Sequence, residues 1–340
     1  MKVSLEPRVL RFAAPLRTAY GELSERELIE LRLECEDGAV GVGEAAPLEP
    51  YDGVSTAAAM AALEACRPLL EASDGADHAG LIAHCARTAS LPQALAAIDL
   101  ALWDLAGRRA DRPVAALLNG ESVDHVAVNA TIGAVEPAAA AAEAAAAVHA
   151  GFRCVKLKVG SGDDAGRVAA VRAAIAPEVA LRVDANGAWS VEQAIASLEA
   201  LAEFGLELVE EPVHGIEALR RLRGRTEIAL TIDETAACDG AITSGAADGV
   251  CLKLSRCGGI TGLLDAALRA RSAGGFVYLS STFDGPLGIA AALHAASALA
   301  PLPACGLATL SLFEDLAGEL QAVDGSIAVP SGAGLGVQTS

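Results

Sequence analysis

From about residue 125 the chain settles into one repeating unit, a short apolar strand followed by a helix, and this repeat limits the fold more than any other feature. The strand-like runs are "VAVNATIG", "CVKLKV", "ALRVDAN", "LELVEEP", "IALTIDE", "GVCLKLS", "FVYLSS" and a short last one near "ACGLATLS". Helical spacing separates most of them, as in "DAGRVAAVRAAIA" and "ITGLLDAALRARSAG", and the unit recurs about every 20–26 residues. Strands that alternate with helices build a parallel sheet, so the fold class is α/β. Eight such strands suit a TIM-type (β/α)7β barrel better than an open sheet. Ahead of the repeat, "LIELRLEC", "EDG" and "AVGVGEA" read as a hairpin, and two stretches of helical spacing follow. The expected division is an α+β domain over residues 1–118 and the barrel over 119–315, with the strand-like tail 316–340 returning to the first domain.

The repeat poses a question about its strand ends. "CVKLKVG" is apolar except for Lys156 and Lys158, which share a face because strand side chains alternate. The next strand ends in Asp184 and Asn186, with Arg182 beneath them. The following one ends in Glu210 and Glu211, the next in Asp233 and Glu234, and "GVCLKLS" carries Lys253. In a barrel of this kind the C-terminal strand ends hold the chemistry. Any one of these charges could protect a sheet edge or open a turn. Five consecutive strands ending in charge are better explained as one site.

Asp184, Glu210 and Asp233, on neighbouring strands, can converge on one hard cation. All-oxygen ligation favours Mg²⁺ over zinc, with Mn²⁺ as a substitute. Lys158 and Lys253, on the second and sixth strands, stand on roughly opposite sides of such a barrel. An ammonium near a divalent cation has its charged form disfavoured and can act as a base. The chemistry this suits is removal of a proton next to a carboxylate, with the cation stabilising the enediolate that forms. A small-molecule carboxylate is the expected partner.

Other classes fit less well. "GSGDDAG" matches a dinucleotide fingerprint at Gly160, Gly162 and Ala165, but that reading leaves the lysines and later carboxylates unused. A formal net charge of −19 argues against nucleic acid and against an anionic membrane surface. Eight scattered cysteines without a C-x-x-C pair suit reduced thiols in a cytoplasm, and no signal-peptide pattern opens the chain. The six histidines read as packing or surface residues, with His214 within reach of the site. A metal-free Schiff-base aldolase also places a lysine on the sixth barrel strand, and a non-catalytic binder is a third class. Assembly into a homo-oligomer is left open.

"VKLKVG", "LRVDANGAW", "LVEEP", "TIDET" and "LKLSRCGGI", in this order and spacing, resemble the enolase superfamily and within it the muconate lactonizing subgroup. "AIDLALWDLAGRRADRPVAALLNG" resembles that family's link from an α+β capping domain to its barrel. The resemblance implies Mg²⁺ ligation by Asp184, Glu210 and Asp233, acid/base roles for Lys158 and Lys253, and support from Lys156 and Asn186. Glu234 and Ser281 are expected to support the site or touch substrate. "FVYLSSTFDG" lacks the histidine of the mandelate racemase subgroup. "ACGLATLSLFEDL" lacks the Asp-x-Asp with which dipeptide epimerases hold a substrate amine. With "LSSTFDGPLGIAAALHAASAL" it looks more like the o-succinylbenzoate synthases, lyases that dehydrate a succinyl-hydroxycyclohexadiene carboxylate in menaquinone biosynthesis. On that resemblance Lys158 removes the proton and Lys253 stabilises the intermediate by a cation–π-like contact. "GEAAPLEPYDG" also resembles epimerase capping loops and "FDGPLG" resembles muconate cycloisomerases, so a dipeptide epimerase, an N-acylamino acid racemase and a cycloisomerase are the alternatives. Segments near "RTAYGEL" and "LEPYDG" are expected to close over the substrate and set specificity.

Overall fold

The computed structural model describes residues 1–118, 122–316, 318 and 320–337. The boundary expected between 118 and 119 abuts undescribed residues, and tail residues 317, 319 and 338–340 lie outside the described ones. The chain opens with an antiparallel sheet of β1 (Lys2–Thr18), β2 (Gly21–Glu34) and β3 (Val40–Ala45), in that order. The hairpin read from the sequence is β2–β3. The long edge strand β1 was not expected, because its mostly exposed residues give no apolar alternation. Helices α1 (Glu49–Asp52), α2 (Thr56–Glu71), α3 (His78–Thr88), α4 (Pro92–Ala110) and α5 (Val114–Leu118) follow. Helix α4 lies directly on β3: a Cβ at Gly43 would stand 2.0 Å from the Ala97 carbonyl oxygen. Only glycine permits that approach of two backbones.

The barrel elements are β4 (His125–Ala127), β5 (Ala130–Ile132), α6 (Pro137–His149), β6 (Cys154–Lys158), α7 (Asp164–Ala174), β7 (Ala180–Asp184), α8 (Val191–Leu201) and β8 (Leu208–Glu210). They continue as α9 (Ile216–Leu222), β9 (Ala229–Ile232), β10 (Gly249–Leu252), α10 (Leu254–Cys257), α11 (Ile260–Ser272), β11 (Phe276–Leu279), α12 (Pro286–Leu299) and, in the tail, β12 (Ser326–Ala328). Strands β5 to β11 form one parallel sheet in chain order. Residues 305 and 306 close it, through parallel bridges from Cys305 to Val128 and from Gly306 to Ser280. The expected last strand is thus present as two bridges and not as a full ladder. The run "VAVNATIG" is two strands, because the chain changes partner at Val128: β4 pairs with β12 and β5 with β6. Strand β10 stops before Lys253, whose carbonyl accepts from Arg256 and Cys257 N–H and starts α10. Two 3₁₀ turns, Glu234–Ala237 and Ala241–Thr243, stand between β9 and β10 in place of a helix.

The tail reaches both halves. Beyond β12, Leu335 N–H donates to Asp104 on α4 at 2.7 Å and Gly334 N–H to the Arg112 carbonyl at 3.0 Å. The glycines of the dinucleotide-like loop serve the barrel: Gly160 N–H donates to Asp164 and Gly166 N–H to Asp163, so the start of α7 is capped by its own acids. All eight cysteines are free. Among the described residues no helix is long and apolar enough to cross a membrane.

Glu44, near the end of β3, is buried against the barrel and accepts from Gly285 N–H at 2.7 Å. Burial pushes its carboxyl up to about 8, with Asp284 reinforcing the shift while Gly285 N–H and Arg26 oppose it. In the unfolded chain a glutamate ionises near pH 4.3. This group therefore lowers stability progressively as pH rises from about 4 to about 8. Glu44→Gln is expected to raise the thermal midpoint by about 3–6 °C at pH 8.5 and by little at pH 5. An equal effect at both pH values would show that burial of this charge is not the cause.

Candidate active site

Parallel register sets the first charged residues level with one another. Lys158 pairs with Asp184 across β6–β7, and Asp184 pairs with Glu210 across β7–β8. Lys156 sits one inward step lower on β6. Asp233 follows the last residue of β9, and Lys253 follows the last residue of β10. The five consecutive strands of the sequence argument thus deliver their charges to one end of the barrel.

Each lysine is held by carboxylates. Lys156 Nζ donates to Glu210 at 2.6 Å and lies 2.8 Å from Asp184 Oδ2. Lys158 Nζ donates to Asp184 Oδ2 and to Asn186 Oδ1, both at 2.7 Å. Lys253 Nζ donates to Asp233. Burial pushes the Asp184 carboxyl up, but Lys156 and Lys158 reverse this and hold it well below the usual carboxylate range. Burial likewise opposes the charge on Lys253, and Asp233 beside it reverses that, raising its pKa. Glu210 ends up raised to about 7, because burial outweighs the help of Lys156. It also accepts from the Tyr278 hydroxyl at 2.6 Å.

The first domain reaches in from above. Tyr51, at α1, donates its hydroxyl to Asp233 at 2.9 Å and accepts from Lys253 at 2.8 Å and Arg256 at 2.7 Å. The Lys253 ammonium stands 4.3 Å from the centre of the Tyr51 ring. Tyr20, in the β1–β2 turn, donates to Glu234 Oε1 and meets the Tyr51 ring edge-on at 5.4 Å. Beneath them lies a cavity of about 220 Å³ open to Lys156, Lys158, Asp184, Asn186, Asp233 and Lys253. Ser281 stands on its wall, bonded to Thr309 at 2.9 Å. Glu234 lies behind the wall and joins Asn186 at 2.9 Å.

Every site residue named from the sequence therefore lies in or beside one cavity. His214 does not line it; its ring packs on Gly187 and bonds Glu211 at 2.9 Å. Glu211, which the sequence left without a role, braces the site from below, accepting from the N–H groups of Asp233 and Thr235 at 2.8 and 3.0 Å. Arg256 and Tyr278 were missed; Tyr20 and Tyr51 fall in segments 17–23 and 48–53, which were expected to lie over the substrate, without either side chain being singled out. For the metal, Glu210, Asp233 and Cys251 offer ligand atoms within 4.8 Å of one another, with Asp184 joined to Glu210 through Lys156. Burial pushes the Cys251 thiol well above its usual range, so it stays neutral and is a poor ligand. The remaining oxygen donors fit a hard divalent cation such as Mg²⁺.

Residues 2–119 match the mandelate racemase / muconate lactonizing enzyme N-terminal domain, and residues 139–340 the enolase C-terminal domain-like family. The hydrophobic dipeptide epimerase of Enterococcus faecalis is 31% identical over 82% of this chain and 82% of its own length. The o-succinylbenzoate synthase of Mycobacterium tuberculosis is 42% identical over 61% of this chain and 64% of its own length. The solved N-succinyl Arg/Lys racemase of Bacillus cereus superposes with a TM-score of 0.94 at 27% identity, covering 99% of this chain and 95% of that one. The dipeptide epimerase of Enterococcus faecalis, solved with Mg and the dipeptide L-Leu-L-Tyr, gives 0.91 at 28% identity, covering 99% of both chains. With both domains matched and the barrel site assembled, the chain belongs to the enolase superfamily and is an enzyme of that family.

Proposed function

We propose that this enzyme moves the proton α to the carboxylate of an N-acylamino acid, racemising it with Lys158 and Lys253 on opposite faces of the substrate. One observation carries the reading: two lysines from strands separated by β7, β8 and β9 border the same cavity, Lys158 held by Asp184 and Lys253 by Asp233. A single base suffices for dehydration, whereas exchange between enantiomers uses a donor and an acceptor on two sides. In this reading Asp184, Glu210 and Asp233 hold Mg²⁺, with Mn²⁺ as a substitute. Lys156 balances the charge of Asp184 and Glu210 from below. Asn186 and Glu234 orient Lys158, and Ser281 lines the substrate wall. When bound, the cation supplies the Lewis-acid charge that favours loss of the α-proton. A carboxylate shared with a cation also gives less charge to the ammonium beside it, so the lysine releases its proton more readily. The capping unit is residues 1–118 with the tail 316–340, over a barrel of 119–315.

The amine of the substrate is the discriminating group. The acids on the cavity wall are Asp184 and Asp233, both ion-paired to lysines. Gly306, Ala308 and Thr309 form the wall at the end of the eighth strand and offer an ammonium no countercharge. This supports an acylated nitrogen over a free dipeptide amine. The o-succinylbenzoate synthase reading, with its place in menaquinone biosynthesis, is the second one, supported by the 42% identity to the Mycobacterium tuberculosis enzyme. The test supplies N-succinyl amino acids, a hydrophobic dipeptide and the succinyl-hydroxycyclohexadiene carboxylate, each with Mg²⁺ and with EDTA. Magnesium-dependent racemisation of the first is expected. Ultraviolet appearance of o-succinylbenzoate with no racemisation would move the assignment to the lyase. Binding without turnover of any of them would make the protein a binder.

A further inference from the structure

The expected site leaves one polar path unexplained. It starts on the first domain, where Tyr20 occupies the turn between β1 and β2. The turn is shaped by its own bonds: Tyr20 N–H donates to Thr18 Oγ1 at 3.1 Å, and that hydroxyl donates to the Gly21 carbonyl at 2.8 Å. The Tyr20 hydroxyl then donates to Glu234 Oε1 on the barrel. The same oxygen accepts from Asn186 Nδ2 at 2.9 Å, and Asn186 Oδ1 accepts from Lys158 Nζ at 2.7 Å. Four side chains thus form one continuous line from the capping turn to a lysine of the barrel, with donation from both ends converging on Glu234.

Two features mark this line as more than packing. Glu234 Oε1 takes both donors while its Oε2 is buried without a partner. A buried acceptor left unmade costs stability, so a purely structural anchor would spread the two donors over both oxygens. The path is also one-sided. Lys253 is reached from the first domain by Tyr51 directly, with no barrel residue between. Among the described residues the Tyr20 hydroxyl bonds Glu234 and neither Lys253 nor Asp233; its contact with that side is the edge of the Tyr51 ring.

We infer that the Tyr20 hydroxyl is a positioning group for Lys158, acting through Glu234 and Asn186 so that the base is aimed only when the capping turn lies over the cavity. This rests on the α-proton reading above. Asn186 presents its Oδ1 to Lys158 because its Nδ2 is taken by Glu234, and Glu234 is held in place for that role by Tyr20. Without the hydroxyl, Glu234 loses its anchor on the capping turn and holds the Asn186 amide less firmly, so Lys158 keeps Asp184 as its one firmly fixed acceptor. The substrate face served by Lys253 is unaffected.

The experiment uses the whole magnesium-loaded enzyme and Tyr20→Phe, which keeps the ring against Tyr51. The α-proton of N-succinyl-L-phenylalanine and of its D enantiomer is exchanged in D₂O and followed by NMR. The expected result is a loss of about tenfold in the exchange rate for one enantiomer, the one whose proton faces Lys158, with the other within about twofold. KM for both is expected to hold, since the aromatic wall remains. Combining Tyr20→Phe with Asn186→Ala should give no more than the loss of Asn186→Ala alone, because the two act in series. Equal losses on both faces, or full additivity, would reduce Tyr20 to a wall residue and overturn the inference. Absence of exchange for both enantiomers in the unsubstituted enzyme would overturn the two-lysine reading itself, and this inference with it.

Discussion

Replacing Lys158 with alanine is expected to cripple racemisation while leaving the fold intact. Lys158 is the most accessible of the three site lysines, with its side chain about one third open to the cavity. Its partners do not depend on it: Asp184 keeps Lys156 at 2.8 Å and the Asn186 N–H at 2.9 Å. The thermal midpoint should therefore stay within about 3 °C of the parent. Turnover should fall by about 10²–10⁴-fold, the usual contribution of a positioned acid/base group. The more telling readout is again one-sided. Lys253 can still remove and return a proton on its own face, so exchange with D₂O should persist for one enantiomer while interconversion stops. Turnover close to that of the parent, or a loss of exchange on both faces alike, would take the base assignment away from Lys158.

The parts of the site that could be read in advance are those carried by strands. Lys156 and Lys158 stand out because an apolar strand has a period of two and no reason to hold charge on its inner face. Asp184 and Glu210 follow from the same pattern, and parallel register then places them level. Asp233 and Lys253 lie one residue past their strands, so the barrel argument found them although the strand limits were drawn too long. The segments that hold Tyr20 and Tyr51 were expected over the substrate, but the partners of the two hydroxyls were out of reach for a different reason. The Lys253–Tyr51 bond spans 202 residues and the Tyr20–Glu234 bond 214, and no local pattern says where a loop of one domain lands on another. Tyr278 sits inside a strand and reads as core; only the position of Glu210 shows that its hydroxyl is in use. The break between β4 and β5 was hidden because both halves are apolar, and the change of partner is a tertiary event.

Asp233→Asn is expected to separate the two roles of that carboxylate. As a proposed ligand its loss should weaken magnesium binding at least as much as losing a supporting partner does, and so raise the half-saturating concentration by about a hundredfold or more. As the partner of Lys253 it also stabilises the fold. Burial pushes the Asp233 carboxyl up, and Lys253 reverses this and holds it below the ordinary aspartate range. A depressed carboxylate contributes stability above its unfolded pKa, near pH 3.9, and loses it as pH falls through the folded value. The asparagine keeps the shape and an acceptor for Tyr51 but leaves Lys253 buried without a countercharge. In magnesium-free buffer at pH 7 the variant should be less stable by about 3 kcal/mol, the cost of breaking a buried pair. That gap should narrow as pH drops below about 4, where the parent loses the same charge. Denaturant melts at pH 7 and pH 3.5 measure the second effect, and a magnesium titration of turnover measures the first. A stability gap with an unchanged magnesium requirement would leave Asp233 as the anchor of Lys253 and remove it from the proposed metal site.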